Sequence, residues 1–202
     1  MAFSIASDSG ALILSLADAK SHLRVEVSDD DALITALIHA AREKIEKYTN
    51  LALTLKTVHE YFDAFPDSTV QRPNAEFLLS VNRVASITSV QYYEDVETDT
   101  LTTIGATDYL LDNTSIMARL APRIGVVWPL ADGRINGVKI IYQAGYATVA
   151  EIPASILQAA KLMIGDWYER REDRLSQGQS TGFIIPRTSE LLLNPYRIYQ
   201  WT

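Results

Sequence analysis

Two apolar stretches at helical spacing, Ser28–Asn50 and Pro153–Asp173, bracket about a hundred residues of strand-and-turn sequence, and neither can stand alone in water. In the first, Ile34, Ile38, Ala41, Ile45 and Tyr48 recur every three to four residues, with Leu33, Leu37 and Ala40 widening the stripe. In the second, Ile156, Ala160, Met163 and Trp167 do the same, beside Ile164 and Tyr168. A stripe this wide needs another helix to cover it. At 1.5 Å per residue both stretches come to about 30 Å, so they can lie side by side along their length. The pattern predicts an α+β fold: a small helical bundle from the N- and C-terminal segments with an inserted antiparallel β module. The expected boundaries are 1–52 for the first helices, 53–150 for the module, and 151–202 for the long helix, a short helix and an aromatic tail. The first and last segments form one unit.

Local signals place the element ends. Ser15-Leu-Ala-Asp18 reads as a capping hydroxyl followed by an acid at the third helical position, starting a short helix that runs to about Arg24. Ser28-Asp-Asp-Asp31 repeats the logic, with carboxylates where the helix dipole favours them. Asn50 can close that helix in the left-handed conformation. Thr54–Phe65, Glu76–Val81, Ser86–Glu94 and Ile135–Gln143 are rich in β-branched and aromatic residues, and Val138, Ile140 and Tyr142 alternate onto one strand face. Pro153 suits the first turn of the closing helix. Gly165 inside that helix costs about 1 kcal/mol relative to alanine, which a close backbone approach would explain.

Composition excludes several chemistries. The chain has no cysteine, so disulfides and thiolate zinc sites are ruled out, and an intracellular setting is the simpler reading. No apolar run approaches a membrane span, and the first ten residues lack the basic region of a signal peptide. The protein is therefore expected to be soluble and cytoplasmic when made. Net charge is −7, divided as −3 over residues 1–52, −4 over 53–150 and zero over 151–202. No segment offers the cationic surface that holds phosphates, so tight wrapping of nucleic acid is not expected. His22, His39 and His59 show no metal-ligand spacing. There is no Gly-x-Ser-x-Gly elbow, and Gly178–Gly182 lacks the lysine of a phosphate loop. The sequence points to no catalytic, cofactor or metal site.

The strings Leu16-Ala-Asp-Ala-Lys-Ser-His-Leu-Arg24, Asp30-Asp-Ala-Leu-Ile34, Ala40-Ala-Arg-Glu43 and Tyr48-Thr49 resemble the opening of phage head–tail connector (adaptor) proteins. Further matches follow in order: Ser86-Ile-Thr-Ser-Val-Gln-Tyr-Tyr93, Trp128-Pro129, Ile141-Tyr-Gln-Ala-Gly-Tyr146, Gly165-Asp-Trp-Tyr-Glu-Arg-Arg-Glu172 and Leu191-Leu-Leu-Asn-Pro-Tyr-Arg197. Gene transfer agents use similar adaptors. Two departures stand out: Asn50 occupies a place where the family usually has glycine, and Met1–Leu14 has no counterpart. The resemblance implies a structural virion protein at the head–tail junction, made in the host cytoplasm, with no enzymatic activity and no cofactor. Its partners would be the portal protein, tail or stopper and tail-terminator proteins, and itself, in a ring of roughly a dozen copies. DNA would pass through the ring without specific binding. Another head- or tail-completion protein, or a small enzyme with a dispersed site, is the competing reading.

Within that reading, three groups of residues are expected to make contacts. Tyr168 and Arg171 would meet the next subunit, since Tyr and Arg are enriched in interfaces, while Trp167 anchors the core. Tyr196, Arg197, Tyr199 and Trp201 would dock on the portal or a neighbour, with packing against the protein's own bundle as the alternative. The acidic run Glu94, Asp95, Glu97, Asp99 would form a solvated hairpin tip facing the channel or the tail. Ser176–Gly182 reads as a loop that could share that role.

Overall fold

The computed structural model describes residues 2–66, 75–94, 99–114, 117–131, 133–170 and 186–198. Helices and antiparallel sheets make it an α+β protein. It divides into two compact units, one helical (Gly10–Thr54 with Ala147–Tyr199) and one of sheet, comprising the described residues of Met1–Ser9 and Leu55–Tyr146.

The helical unit contains α1 (Leu16–Leu23), α2 (Asp31–Thr49), α3 (Ala154–Glu169) and α4 (Arg187–Leu193). Ser15 caps α1, its hydroxyl accepting from the Asp18 amide at 3.0 Å. α2 starts later than the Ser28 cap predicts: Asp31 N–H bonds the Ser28 carbonyl at 3.1 Å, a tight turn that moves the N-cap to Asp30. Asn50 ends α2 with φ +58°, in the left-handed conformation. α2 packs against α3, and Ile34, Ile38, Ala41, Ile45, Ile156, Ala160 and Met163 are all fully buried. The stripe is narrower than its sequence, since Leu33 and Ala40 are exposed, and Trp167 is only partly buried. Pro153 is the N-cap of α3 rather than its first residue. A β-carbon placed on Gly165 would meet nothing nearer than His22 Nε2 at 3.6 Å, an ordinary contact. Among the described residues, the expected close backbone approach is therefore absent.

The sheet unit carries β1 (Ala2–Asp8), β2 (Lys56–Phe62), β3 (Phe77–Leu78), β4 (Val84–Tyr93), β5 (Leu101–Thr103), β6 (Tyr109–Asp112), β7 (Arg119–Pro122) and β8 (Val138–Ala144). Five strands form one antiparallel sheet in the order β1-β2-β8-β4-β5, and three form a second, β3-β7-β6. Residues 2–8, grouped with the helices by sequence, are thus the edge strand of the large sheet. Val138, Ile140 and Tyr142 are fully buried on one face, as their alternation predicts. A cluster of Phe62, Phe65, Phe77, Tyr92 and Trp128 fills the adjoining core. Trp128 is fixed by a 2.8 Å bond from its indole N–H to the Ala75 carbonyl.

Candidate assembly surfaces

The segment after α4 folds back on its own unit as far as Ile198. The Ile198 amide donates to the Thr49 carbonyl at 3.0 Å, and Asn50 Nδ2 donates to the Ile198 carbonyl at 2.8 Å. The first satisfies a carbonyl at the end of α2, where helix carbonyls otherwise lack partners, and the second satisfies the Ile198 carbonyl of the tail. Tyr48 reaches Asn194 Oδ1 at 2.6 Å, and the Arg197 guanidinium lies 4.7 Å from the Tyr48 ring centre. The Ser155 hydroxyl bonds the Tyr196 hydroxyl at 2.9 Å. Tyr196 and Arg197, read from sequence as docking residues, therefore have partners in their own unit. Tyr199 and Trp201 lie outside the described residues.

Tyr168 is similarly engaged. Its hydroxyl donates to Asp30, the N-cap residue of α2, and so links the end of α3 to the start of α2. The ring remains partly accessible. Arg171 and the Ser176–Gly182 loop lie outside the described residues.

The acidic run joins β4 to β5, which pair as a hairpin with Tyr93 opposite Leu101. Asp99 is 87% exposed and bonds Arg134 at 2.6 Å, while Arg134 lies 4.2 Å over the Tyr93 ring. Glu94 accepts a long 3.4 Å contact from Thr102. Asp95 and Glu97 are outside the described residues.

Among the buried charged groups that the sequence reading missed, Glu60 is the most deeply enclosed. Glu60 is fully buried and accepts from the Ser80 amide at 3.1 Å, from the Ser80 hydroxyl, and from Tyr142 at 2.8 Å. Tyr142 in turn accepts from the Val81 amide at 3.2 Å. Burial pushes the Glu60 carboxyl above its ordinary range, against the pull of these bonds. The Tyr142 hydroxyl is pushed up by burial and by Glu60. Perturbed acids often mark active sites, but this one is sealed in a strand pair with its acceptors occupied. It ties the Leu79–Val81 segment to the sheet.

Two shallow hollows accompany the sheet. One, of about 330 Å³, is lined by Tyr61, Tyr93, Leu101, Arg134 and Lys139 among others. The second, of about 270 Å³, lies between Thr102–Gly105 and Val126–Pro129. Neither gathers a nucleophile with a histidine base. Among the described residues no group of acids and histidines is placed to hold a metal, and no helix is long and apolar enough to cross a membrane.

Sequence reasoning also missed the exposed apolar residues at the sheet edges. Phe3 and Ile5 on β1 are about half exposed, and Ile124, Val127 and Leu130 stand out between β7 and β8. The run Ile124-Gly-Val-Val-Trp-Pro-Leu130, apolar but without strand alternation, was the available signal.

Residues 13–109, just under half of the chain, match the model of the phage gp6-like head–tail connector protein family. No curated protein matches the chain. Among solved structures, a chain from the neck of an empty gene transfer agent particle, computed with C6 symmetry, superposes with TM-score 0.76 at 20% identity. A chain from the virion of a native gene transfer agent particle gives 0.76 at 21%, and one from the neck of a native particle, computed with C12 symmetry, gives 0.71 at 21%. Each match covers 100% of this chain and 98% of the other. The strings read from the sequence, the family match and the fold agree. Residues 13–109 thus resemble the phage gp6-like head–tail connector family in sequence, and the whole chain shares its fold with chains of gene transfer agent particles.

Proposed function

We propose that this chain is a structural virion protein, an adaptor that closes a ring between portal and tail around the DNA exit channel. The observation that carries the reading is the coincidence of the connector match over residues 13–109 with a full-length fold shared with neck chains. Its work is mechanical and associative rather than catalytic. The symmetric necks from which the similar chains come support a ring of copies, in which many modest contacts add up through multivalency. The portal on one side and tail-completion proteins on the other are the partners such a ring would join, at the head–tail junction of the particle. The helical unit and the inserted module are its two working parts.

Three surfaces are assigned roles within this reading. Residues beyond Ile198, with Tyr199 and Trp201, dock on the portal or a neighbour. Arg171, with the accessible side of Tyr168, meets the next subunit. The hairpin Glu94–Asp99 faces the channel or the tail, where its carboxylates would repel DNA phosphates and ease passage. The net charge of −7 fits a wall that DNA slides past.

The test is genetic and visual. Particles made without this chain should stall as filled heads without tails, and imaging of complete particles should place it as a ring under the portal. Complete, tailed particles formed in its absence would overturn the proposal.

A further inference from the structure

The two edges of the five-stranded sheet are unlike, and each leaves apolar surface uncovered. At one edge, among the described residues, β1 pairs only with β2, and its seven residues are all exposed. Phe3 stands opposite Glu60 and Ile5 opposite Val58, so both lie on the face that buries Val58, Glu60, Ile140 and Tyr142. The core face therefore runs one strand past the point where the chain covers it. Phe3 and Ile5 remain 52% and 50% exposed. As at any sheet edge, half of the β1 backbone groups point outward. β1 carries neither lysine nor proline, the usual protections, and its bulge between Ile5 and Ser7 leaves Ala2–Ile5 regular.

At the other edge, Val126–Pro129 lies beside Thr102–Gly105, next to β5. This arm is held by Trp128 in the aromatic core, while Ile124, Val127 and Leu130 project at 107%, 64% and 91% exposure. Residues 127–131 run without regular secondary structure. Across five strands the two edges are about 19 Å apart, so within one copy the arm and β1 do not meet.

We propose that the arm of one copy packs on the β1 edge of the next. This rests on the ring reading and names its seam. Ring closure needs a heterologous contact, in which one patch meets a different patch on the neighbour, and opposite sheet edges supply such a pair. The exposed arm residues and the β1 strand together offer on the order of 1,000 Å² of surface, where a specific interface begins. Strand addition to Ala2–Ile5 would satisfy the outward backbone groups, and Phe3 and Ile5 would receive Val127 and Leu130.

The chain has no cysteine, which makes disulfide trapping clean. Full-length chains carrying Ile5→Cys together with Ile124→Cys, Val127→Cys or Leu130→Cys are oxidised at high concentration. At least one pair should give a ladder of covalent oligomers, with at least tenfold more product beyond the dimer than the single-cysteine chains. Ile5→Cys with Leu191→Cys, an exposed site in the helical unit, serves as the control. A second experiment uses Leu130→Asp and Phe3→Asp chains, each checked for folding by circular dichroism. Neither should form oligomers alone, and an equimolar mixture should form a 1:1 pair and stop there, since only one intact seam remains. Absence of a ladder from all three pairs, or a mixture with no pair, overturns the proposal. Imaging the wild-type chain in particles tests the ring separately, so a ring without trapping would sink only this seam.

Discussion

The Tyr142 hydroxyl donates to Glu60 Oε2 at 2.8 Å, and both side chains are fully shielded from solvent. Burial raises the Glu60 carboxyl above its ordinary value of 4.5. Between that value and the raised one, the folded protein holds more protons than the unfolded chain, so stability falls as pH rises through the interval. The slope is at most about 1.4 kcal/mol per pH unit. Glu60→Gln removes it, so the variant should gain on wild type as pH rises from 4.5 to 7. His59 runs the other way: burial and Lys139 lower it from 6.5, so its contribution is lost as pH falls below that value. Because His59 is present in both chains, urea titrations of the two at each pH isolate Glu60. A stability difference that stays constant with pH would refute the prediction.

Gly165→Ala should stabilise the protein by about 0.5–1 kcal/mol. Among the described residues the added methyl meets only His22 Nε2, at 3.6 Å, and the residue lies inside α3. Thermal unfolding measures it. A lower melting temperature would refute the prediction and mean that the folded chain does not accommodate a methyl at this place in α3.

The tail offers two truncations with different outcomes. Removing residues 197–202 takes away Ile198, which is 7% exposed, and both of its bonds to Thr49 and Asn50, and should cost about 2–4 kcal/mol. Removing only 199–202 should leave stability within about 0.5 kcal/mol and abolish docking to heads. Denaturant curves and particle completion together separate the structural part of the tail from the part assigned to docking. Normal completion by the shorter truncation would end that assignment.

Tyr168→Phe keeps the ring and loses the bond to Asp30, which should lower stability by about 1–2 kcal/mol without changing assembly once the protein is folded. Arg171→Ala should do the reverse, weakening the ring at unchanged stability. Chemical denaturation and native mass spectrometry of the two single variants distinguish the roles.

Much of the helical unit was legible because its signals are local. Ser15 and Asn50 mark helix ends through their own side chain or backbone preference, and a turn of 3.6 residues puts Ile34, Ile38, Ala41 and Ile45 on one line. The exact start of α2 was not legible, because Ser28, Asp29, Asp30 and Asp31 are all competent near a helix N-terminus and only the Ser28–Asp31 turn selects among them. In the second sheet β3 fell inside the expected strand Glu76–Val81, whereas β6 and β7 escaped because strands of four residues are too short to show a period. Glu60 was within reach: it shares the inward positions of Lys56 and Val58, and a charged residue there demands partners. Those partners, Ser80 and Tyr142, are 20 and 82 residues away and become neighbours only in the sheet. The tail was ambiguous for the same reason, since Ile198 finds Thr49 across the chain.

The unlike edges of the large sheet bear on how copies would accumulate. Any unfinished arc has one bare strand at its leading end and one bare arm at its trailing end, and adding a copy restores both. Only the final copy silences the two at once. On that geometry partial arcs stay adhesive until they close, and the finished circle presents neither end to other molecules.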